Sequence, residues 1–192
     1  MSGISSAGVS AYLYADFGID LWDLTDARRL GTLRIQDPED KAVTTFSVAN
    51  RGNLLIYGTD NGHIGVWDLQ DARLAGRISL LTPQDDPVYQ PVRGVVFSRD
   101  DTMVGAAIGA RIMVFSVANW QLTRTIEPEA KAYSRSVWSL SFDPRGSRIG
   151  LGWTDGTVEV WDLQSGTRSA EYSVFRGRRK VIDWISRYRR NG

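Results

Sequence analysis

One short pattern returns four times along the chain. Each copy has alternating apolar residues that lead to an aromatic residue, and the copies are IDLWDL at Ile19–Leu24, IGVWDL at Ile64–Leu69, IMVFSV at Ile112–Val117 and VEVWDL at Val158–Leu163. Their aromatic residues, Trp22, Trp67, Phe115 and Trp161, are 45, 48 and 46 residues apart. A repeat of this period is too small to bury its apolar face alone, so neighbouring units must stack and share a core.

The residues around each copy repeat as well. The second, third and fourth copies are each preceded by an apolar segment, and these segments align with one another at Val43–Gly52, Val92–Asp101 and Val137–Gly146. A second apolar run follows each segment. Tight turns containing Asp-Asn-Gly or Asp-Gly then lead into the strand with the aromatic residue, here called the marker strand. A fourth run follows each marker strand, at Arg29–Ile35, Arg73–Leu80, Gln121–Ile126 and Thr167–Val174. Four short strands per period predict one antiparallel blade.

These residues resemble the WD-repeat β-propeller family, whose period is about 40 to 45 residues with a Trp-Asp dipeptide at the marker strand. The dipeptide stands at Trp22-Asp23, Trp67-Asp68 and Trp161-Asp162, and Phe115-Ser116 replaces it in the third copy. The resemblance covers about Val9 to Val174. It implies an all-β propeller of about four four-stranded blades that serves as a non-enzymatic protein-interaction scaffold. Of the family's buried polar network, it implies at most Asp155 with Trp161 and Asn61 with Trp67.

The two ends of the array raise the question of closure. We expect residues 1–175 to form one array and 176–192 a basic C-terminal segment. Val9–Ala15 and Ile19–Leu24 are predicted second and third strands, so the first blade is expected to lack its first strand. The segment at Lys180–Tyr188 has two interpretations. It is either a strand that closes the first blade, in the same chain or in a second copy, or a helix with one apolar face. The residues assigned to closure or self-association are Val181, Trp184, Ile185 and Tyr188.

These features of the two ends lead us to expect a homodimer or a part of a larger propeller, and they leave open whether the sequence is complete.

Composition narrows the range of possible functions further. The formal net charge is +1, and the chain has no cysteine and a single histidine, His63, predicted on an exposed turn. Thiol chemistry and zinc–cysteine sites are therefore excluded, and no catalytic, cofactor or metal site is predicted. The sequence has no apolar run long enough to span a membrane and no secretory signal, so we expect a cytoplasmic protein.

The longest segments between predicted strands are the connections between blades, at Gln36–Ala42, Leu81–Pro91 and Glu127–Ser136. Such loops often carry contacts on a rigid scaffold, and aromatic residues and arginine are enriched in interface hot spots. The candidate partner-binding residues in and beside these loops are Tyr89, Arg93, Tyr133, Arg135 and Trp138. An alternative for Tyr133 and Trp138 is that they pack between blades.

A second function is suggested by the C-terminal segment. It carries the basic residues Arg176, Arg178, Arg179, Lys180, Arg187, Arg189 and Arg190, with aromatic residues among them. Arginines interleaved with stacking aromatics can bind nucleic acid or another anionic surface. A charged run at a terminus is also typical of a solvated end, so protein interaction remains the primary prediction.

Overall fold

The protein is a set of four antiparallel sheets. The computed structural model describes residues 2–4, 9–13, 18–23, 25–34, 42–83, 85, 90–127 and 135–173, with the backbone alone for 2–4 and 9–13. This part of the chain contains sixteen strands and no helix. The strands are β1 (Ser2–Ile4), β2 (Val9–Leu13), β3 (Gly18–Asp23), β4 (Arg28–Arg34), β5 (Val43–Val48), β6 (Leu54–Thr59), β7 (His63–Asp68), β8 (Arg73–Ser79), β9 (Val92–Phe97), β10 (Met103–Ile108), β11 (Arg111–Ser116), β12 (Leu122–Ile126), β13 (Val137–Phe142), β14 (Arg148–Trp153), β15 (Thr157–Asp162) and β16 (Arg168–Ser173).

Four consecutive strands form each sheet, in sequence order, so each sheet is one blade. The first strand of each blade lies beside the first strand of the next: β5 packs against β9, β9 packs against β13, and β1 and β2 pack against β5. Among the described strands, no comparable packing joins blade 4 to blade 1. The predicted repeat of four-stranded blades is confirmed, and the described blades follow one another around an arc.

The core lies between the blades because alternate residues of one strand point to opposite faces of its sheet. In β7, Ile64 belongs to the cluster between blades 2 and 3, while Trp67 packs against the cluster between blades 1 and 2. In β11, Ile112 and Phe115 divide in the same way between the next two clusters. One marker strand therefore contributes to two cores, as the shared-core prediction required.

The expectation that blade 1 lacks its first strand is wrong. Ser2–Ile4 pairs antiparallel with β2, with Ser2 opposite Tyr12 and Ile4 opposite Ser10. The strand is only three residues long and has none of the apolar pattern of the other first strands. Its pairing uses backbone hydrogen bonds, which do not depend on side-chain identity, so the sequence pattern could not reveal it.

The aspartate of the Trp-Asp dipeptide organises the turn that follows the marker strand. Asp68 Oδ1 accepts hydrogen bonds from the backbone N–H of Gln70 and Asp71, at 2.9 and 3.2 Å. Asp162 Oδ1 accepts the corresponding bonds from Gln164 and Ser165. Each turn then has one residue with positive φ at the same place, and these residues are Ala27, Ala72, Trp120 and Gly166. The dipeptide thus combines an apolar anchor with a turn cap.

Asp101 connects the ends of blades 2 and 3 that lie opposite the connecting loops. It has φ +59°, at a turn position where the neighbouring blades have Gly52 and Gly146. Its carboxylate accepts hydrogen bonds from the backbone N–H of Asn50 at 2.7 Å and of Arg51 at 2.9 Å. A non-glycine residue in this left-handed conformation costs about 1 kcal/mol. The contacts across the two blades offset that cost.

We expect Asp101→Ala to reduce the free energy of unfolding by about 2 kcal/mol, because it keeps the strained φ and removes charge-assisted hydrogen bonds. Asp101→Gly loses the same bonds but relieves the strain, so its loss should be smaller by about 1 kcal/mol. The control is Ala72→Gly, which relieves a positive φ of 51° and should stabilise by about 0.5–1 kcal/mol. Urea denaturation measures all three, and equal stability of the Ala and Gly variants would contradict this account.

Candidate functional site

The first strands of blades 2, 3 and 4 carry a β-bulge at the same register position. The pairing with the second strand skips one residue in each case, and the bulged residues are Thr44, Arg93 and Trp138. A bulge interrupts the alternation of a strand and re-aims a side chain. These three residues therefore do not follow the pattern that sends their neighbours into the core.

The bulged residues lie on adjacent strands. Thr44 Oγ1 donates a hydrogen bond to the carbonyl oxygen of Val92, at 2.6 Å, and thereby joins β5 to β9. Arg93 is exposed on β9, and no described carboxylate pairs with it. Trp138, on β13, is 78% exposed, which is the largest exposure of any described large apolar side chain. Arg93 and Trp138, which lie on the adjacent strands β9 and β13, are called here the Arg–Trp pair.

Arg135 lies close in sequence to Trp138 but is engaged inside blade 4. Its guanidinium lies 4.1 Å from the centre of the Trp153 ring and donates to Glu159 Oε1 at 2.6 Å. It also lies 3.5 Å from Asp155. The side chain is only 15% exposed, so in this structure it supports the blade from within.

Glu159 is the centre of this buried cluster. Its side chain is fully buried in β15 and accepts hydrogen bonds from Arg135, from Arg168 at 3.0 Å and from Trp161 Nε1 at 2.9 Å. Burial alone would raise the pKa of the Glu159 carboxyl, but the hydrogen bonds from Trp161, Arg135 and Arg168 outweigh it and hold the pKa below its ordinary value. The carboxylate is therefore charged and paired.

The sign of the pH effect follows from that lowered pKa. The stability contributed by Glu159 is present above the ordinary pKa of a glutamate side chain and is lost as the pH falls through the lower folded value. We expect Glu159→Gln to cost on the order of 3 kcal/mol at pH 7, because two guanidinium groups lose their charged partner.

Thermal unfolding of Glu159→Gln and wild type between pH 7 and pH 3 tests this expectation. The difference in stability between the two should narrow below about pH 4. Glu171→Gln removes an exposed carboxylate beside Arg168 and controls for surface charge. A difference that stays constant down to pH 3 would contradict the assignment.

Two polar networks differ from the prediction. Trp161 bonds to Glu159 and not to Asp155, whose carboxylate instead accepts the backbone N–H of Thr157 at 2.8 Å. Trp67 Nε1 is buried and has no hydrogen-bond partner among the described residues. The expected pairs Asp155–Trp161 and Asn61–Trp67 are therefore wrong: Glu159, two places before Trp161, accepts its N–H, whereas Gly65 at the same place before Trp67 has no side chain to offer.

His63 is half-buried and not on an exposed turn. It begins β7, and its Nδ1 lies 3.2 Å from Asn61 Oδ1, while its backbone N–H donates to Thr59 Oγ1. This position belongs to the structure of the hairpin. Among the described residues, no group of three or more histidine, aspartate or glutamate side chains is placed to hold a metal ion.

The loop between blades 2 and 3 is held to blade 3 by an ion pair that the sequence analysis missed. Arg111 Nη2 donates to Asp85 Oδ2 at 2.6 Å and to the carbonyl oxygen of Leu80 at 2.9 Å. Burial acts to raise the pKa of Asp85, but the bonds from Arg111 and Thr82 lower it overall. The start of this loop is thereby fixed on blade 3. No local sequence signal indicated the pair, because Asp85 lies in the loop and Arg111 lies on β11, 26 residues further along the chain.

Several predicted site residues lie outside the described part of the chain. They are Tyr89 and Tyr133 in the loops, the closure residues Val181, Trp184, Ile185 and Tyr188, and the basic residues Arg176, Arg178, Arg179, Lys180, Arg187, Arg189 and Arg190. Binding of nucleic acid rests on the basic set and stays a prediction. In the described part, no helix has the length and apolar character to cross a membrane.

Comparison with known proteins agrees with this architecture. Residues 120–162 match the family model "WD domain, G-beta repeat". The crystal structure of the β-propeller domain of Cps50 (Swd1) from Myceliophteria thermophila superposes with a TM-score of 0.70 at 17% identity, covering 88% of this chain. The chain has the β-propeller fold, and its residues 120–162 match one WD repeat. It spans about half of that propeller domain, 53% of its length. No curated protein sequence matches the chain.

The matched WD repeat is offset from the structural blade. It begins at Trp120, before the outer strand β12 of blade 3, and ends at Asp162, where β15 of blade 4 ends. One sequence repeat therefore supplies the outer strand of one blade and three strands of the next. This offset joins adjacent blades covalently as well as by packing.

Proposed function

We propose that this WD-repeat propeller is a non-enzymatic protein-interaction platform that binds its partner through the Arg–Trp pair. The observation that carries the proposal is the 78% exposure of Trp138, a large apolar side chain at the bulge of the inner strand β13. WD-repeat propellers generally serve as protein-interaction scaffolds, which supports the class of function. The Arg–Trp pair is the surface of this chain that we assign to the contact with the partner.

Packing does not explain a tryptophan at this position. The equivalent residues on the neighbouring strands are Thr44 and Arg93, so the blade framework does not need an apolar side chain there. Covering one indole ring removes a large apolar surface from water, and tryptophan and arginine together are typical of interface hot spots. The partner we infer offers an apolar side chain to Trp138 and a carboxylate to Arg93.

Self-association is part of this proposal. The arc of blades favours a second copy of the chain as the partner, because two arcs together would form a propeller with more blades than one arc has. We also propose a cytoplasmic location, which a cysteine-free sequence fits. No cofactor or metal is needed for this function.

The experiment compares proteins captured from a lysate of the source cells by immobilised wild type and by an Arg93→Ala/Trp138→Ala variant. We expect a specific partner to bind wild type and to bind the variant at least about tenfold more weakly, the loss typical of removing a hot spot. Leu122→Ala is the matched control, because Leu122 is 47% exposed on an outer strand.

The affinities of wild type and of the double variant for the isolated partner are then measured by calorimetry at two salt concentrations. The affinity of the chain for a second copy of itself is measured in the same way. Equal affinity for wild type and the double variant would reject the Arg–Trp pair as the site. A strong salt dependence with nucleic acid as the captured ligand would reject the protein partner in favour of the basic segment.

A further inference from the structure

Turns of equal length join the first and second strands of blades 2, 3 and 4, on the face opposite the connecting loops. They are residues 49–53, 98–102 and 143–147. In each turn the N–H of the first residue donates to the carbonyl oxygen of the residue that begins the second strand. The N–H of the fourth residue donates to the carbonyl oxygen of the first, and the fourth residue has a positive φ. The three turns therefore present their second and third residues in the same way.

Neighbouring turns touch one another. Asn50 Nδ2 in the blade 2 turn donates to the carbonyl oxygen of Ser98 in the blade 3 turn, at 3.1 Å, beside the bonds to Asp101 described above. A Cβ added to Gly146 in the blade 4 turn would lie 3.0 Å from the methyl group of Met103 and 4.0 Å from the Cβ of Ser98. The blade 3 turn is thus held between the other two, and the three turns form one continuous surface.

Each of the three turns carries one exposed arginine at its second or third position. They are Arg51, Arg99 and Arg145. Within the part of the chain that the structure describes, no carboxylate or other acceptor holds any of the three guanidinium groups. The turn itself does not require arginine, because the remaining residues at the same two positions are Asn50, Asp100 and Pro144. The surface formed by Arg51, Arg99 and Arg145 is called here the arginine rim.

The carboxylates of these turns are used within the turns. Asp100 Oδ1 accepts hydrogen bonds from Ser98 Oγ at 2.7 Å and from the backbone N–H of Thr102 at 3.1 Å. Hydrogen bonds from the hydroxyl groups of Ser98 and Thr102 hold the pKa of Asp100 below its ordinary value, so it stays charged. Asp143 Oδ1 accepts the backbone N–H of Arg148 at 2.9 Å. The surface therefore combines engaged carboxylates with guanidinium groups that are available to a ligand.

We propose that the arginine rim binds an acidic peptide segment of a partner protein, with carboxylates of the peptide on the guanidinium groups of neighbouring blades. The planar guanidinium group of arginine can donate two parallel hydrogen bonds to one carboxylate. Because the turns are fixed by backbone hydrogen bonds and touch one another, little backbone ordering opposes binding.

The mixed charge of the surface favours a peptide over nucleic acid. A nucleic acid presents a uniformly negative backbone, which the charged Asp100, Asp101 and Asp143 would repel. None of the three turns has an aromatic residue on which a base could stack. The rim is also separate from the Arg–Trp pair, since Arg93 and Trp138 stand near the starts of β9 and β13 and the turns follow the ends of these strands.

The cysteine-free sequence allows a test that reports where a peptide binds. Thr102→Cys places a single thiol in the blade 3 turn of the full-length chain, and Thr125→Cys places one at an exposed position of β12. The probe is an oligoglutamate peptide with an N-terminal bromoacetyl group, and each rate is divided by the rate with neutral bromoacetamide. We expect the probe to alkylate Thr102→Cys at least about tenfold faster than Thr125→Cys, because binding raises its local concentration.

Two sets of substitutions in the Thr102→Cys background identify the groups that hold the probe. Arg51→Gln/Arg99→Gln/Arg145→Gln should lower the rate to that of Thr125→Cys. The matched control is Arg28→Gln/Arg73→Gln/Arg124→Gln, which removes the same charge from arginines that have partners in the chain, and it should leave the rate high. Sodium chloride should slow the labelling of the parent. Circular dichroism checks that each variant is folded.

Equal normalised rates for Thr102→Cys and Thr125→Cys would overturn the proposal, because the peptide would not be held at the rim. Fast labelling that survives the triple substitution in the rim would also overturn it and would assign the peptide to other cations. A bromoacetyl oligothymidylate that labels Thr102→Cys faster than the peptide would assign the rim to nucleic acid instead.

The Arg93→Ala/Trp138→Ala variant separates this site from the proposed function. In the Thr102→Cys background it should be labelled by the probe as fast as the parent. Loss of the fast labelling in this variant would overturn the proposal by placing the peptide on the Arg–Trp pair. The capture experiment on the Arg–Trp pair does not depend on the rim, so either proposal can fail without the other.

Discussion

Blades 2 and 3 have apolar side chains on both faces of their sheets, and the packing of one blade on the next is the interaction on which the rest of the structure depends. A four-stranded sheet with two apolar faces is not stable alone in water. The three clusters between the four blades bury isoleucine, leucine, valine and phenylalanine from both neighbours. The sequence repeat spans two blades and so links them covalently, and hydrogen bonds such as that from the backbone N–H of Asn50 to the Asp101 carboxylate hold the blades in the same arrangement.

This dependence explains where polar side chains enter. Glu159 stands two places before Trp161, where blades 2 and 3 have Gly65 and Met113. A carboxylate at this buried position requires cations, and Arg135 and Arg168 supply them. Blade 1 has a smaller version, in which Arg29 donates to Asp20 at 2.7 Å and the hydrogen bonds from Arg29 and Thr32 lower the pKa of Asp20. The first and last described blades thus contain a paired buried charge that the middle blades lack.

The period and the alternation were sufficient to predict the four blades, the order of their strands and the role of Trp67 and Phe115 in the core. They were insufficient where long-range contacts or irregular backbone decide. Ser2–Ile4 pairs through its backbone and leaves no side-chain pattern. The bulge at Trp138 interrupts the alternation, so the sequence could not distinguish a packed tryptophan from an exposed one. Arg135 was a predicted contact residue, but the buried Glu159 holds it inside the blade.

Packing between Gly94 of β9 and Leu140 of β13 gives the most direct test of the account, because a Cβ at Gly94 would collide with the Leu140 side chain. The measurement is a double-mutant cycle by urea denaturation with Gly94→Ala, Leu140→Ala and both together. The account predicts that the double variant is more stable than the sum of the single losses by at least about 1 kcal/mol, since Leu140→Ala makes room for the new methyl group. Additive losses would contradict the claim that packing between blades sustains the fold.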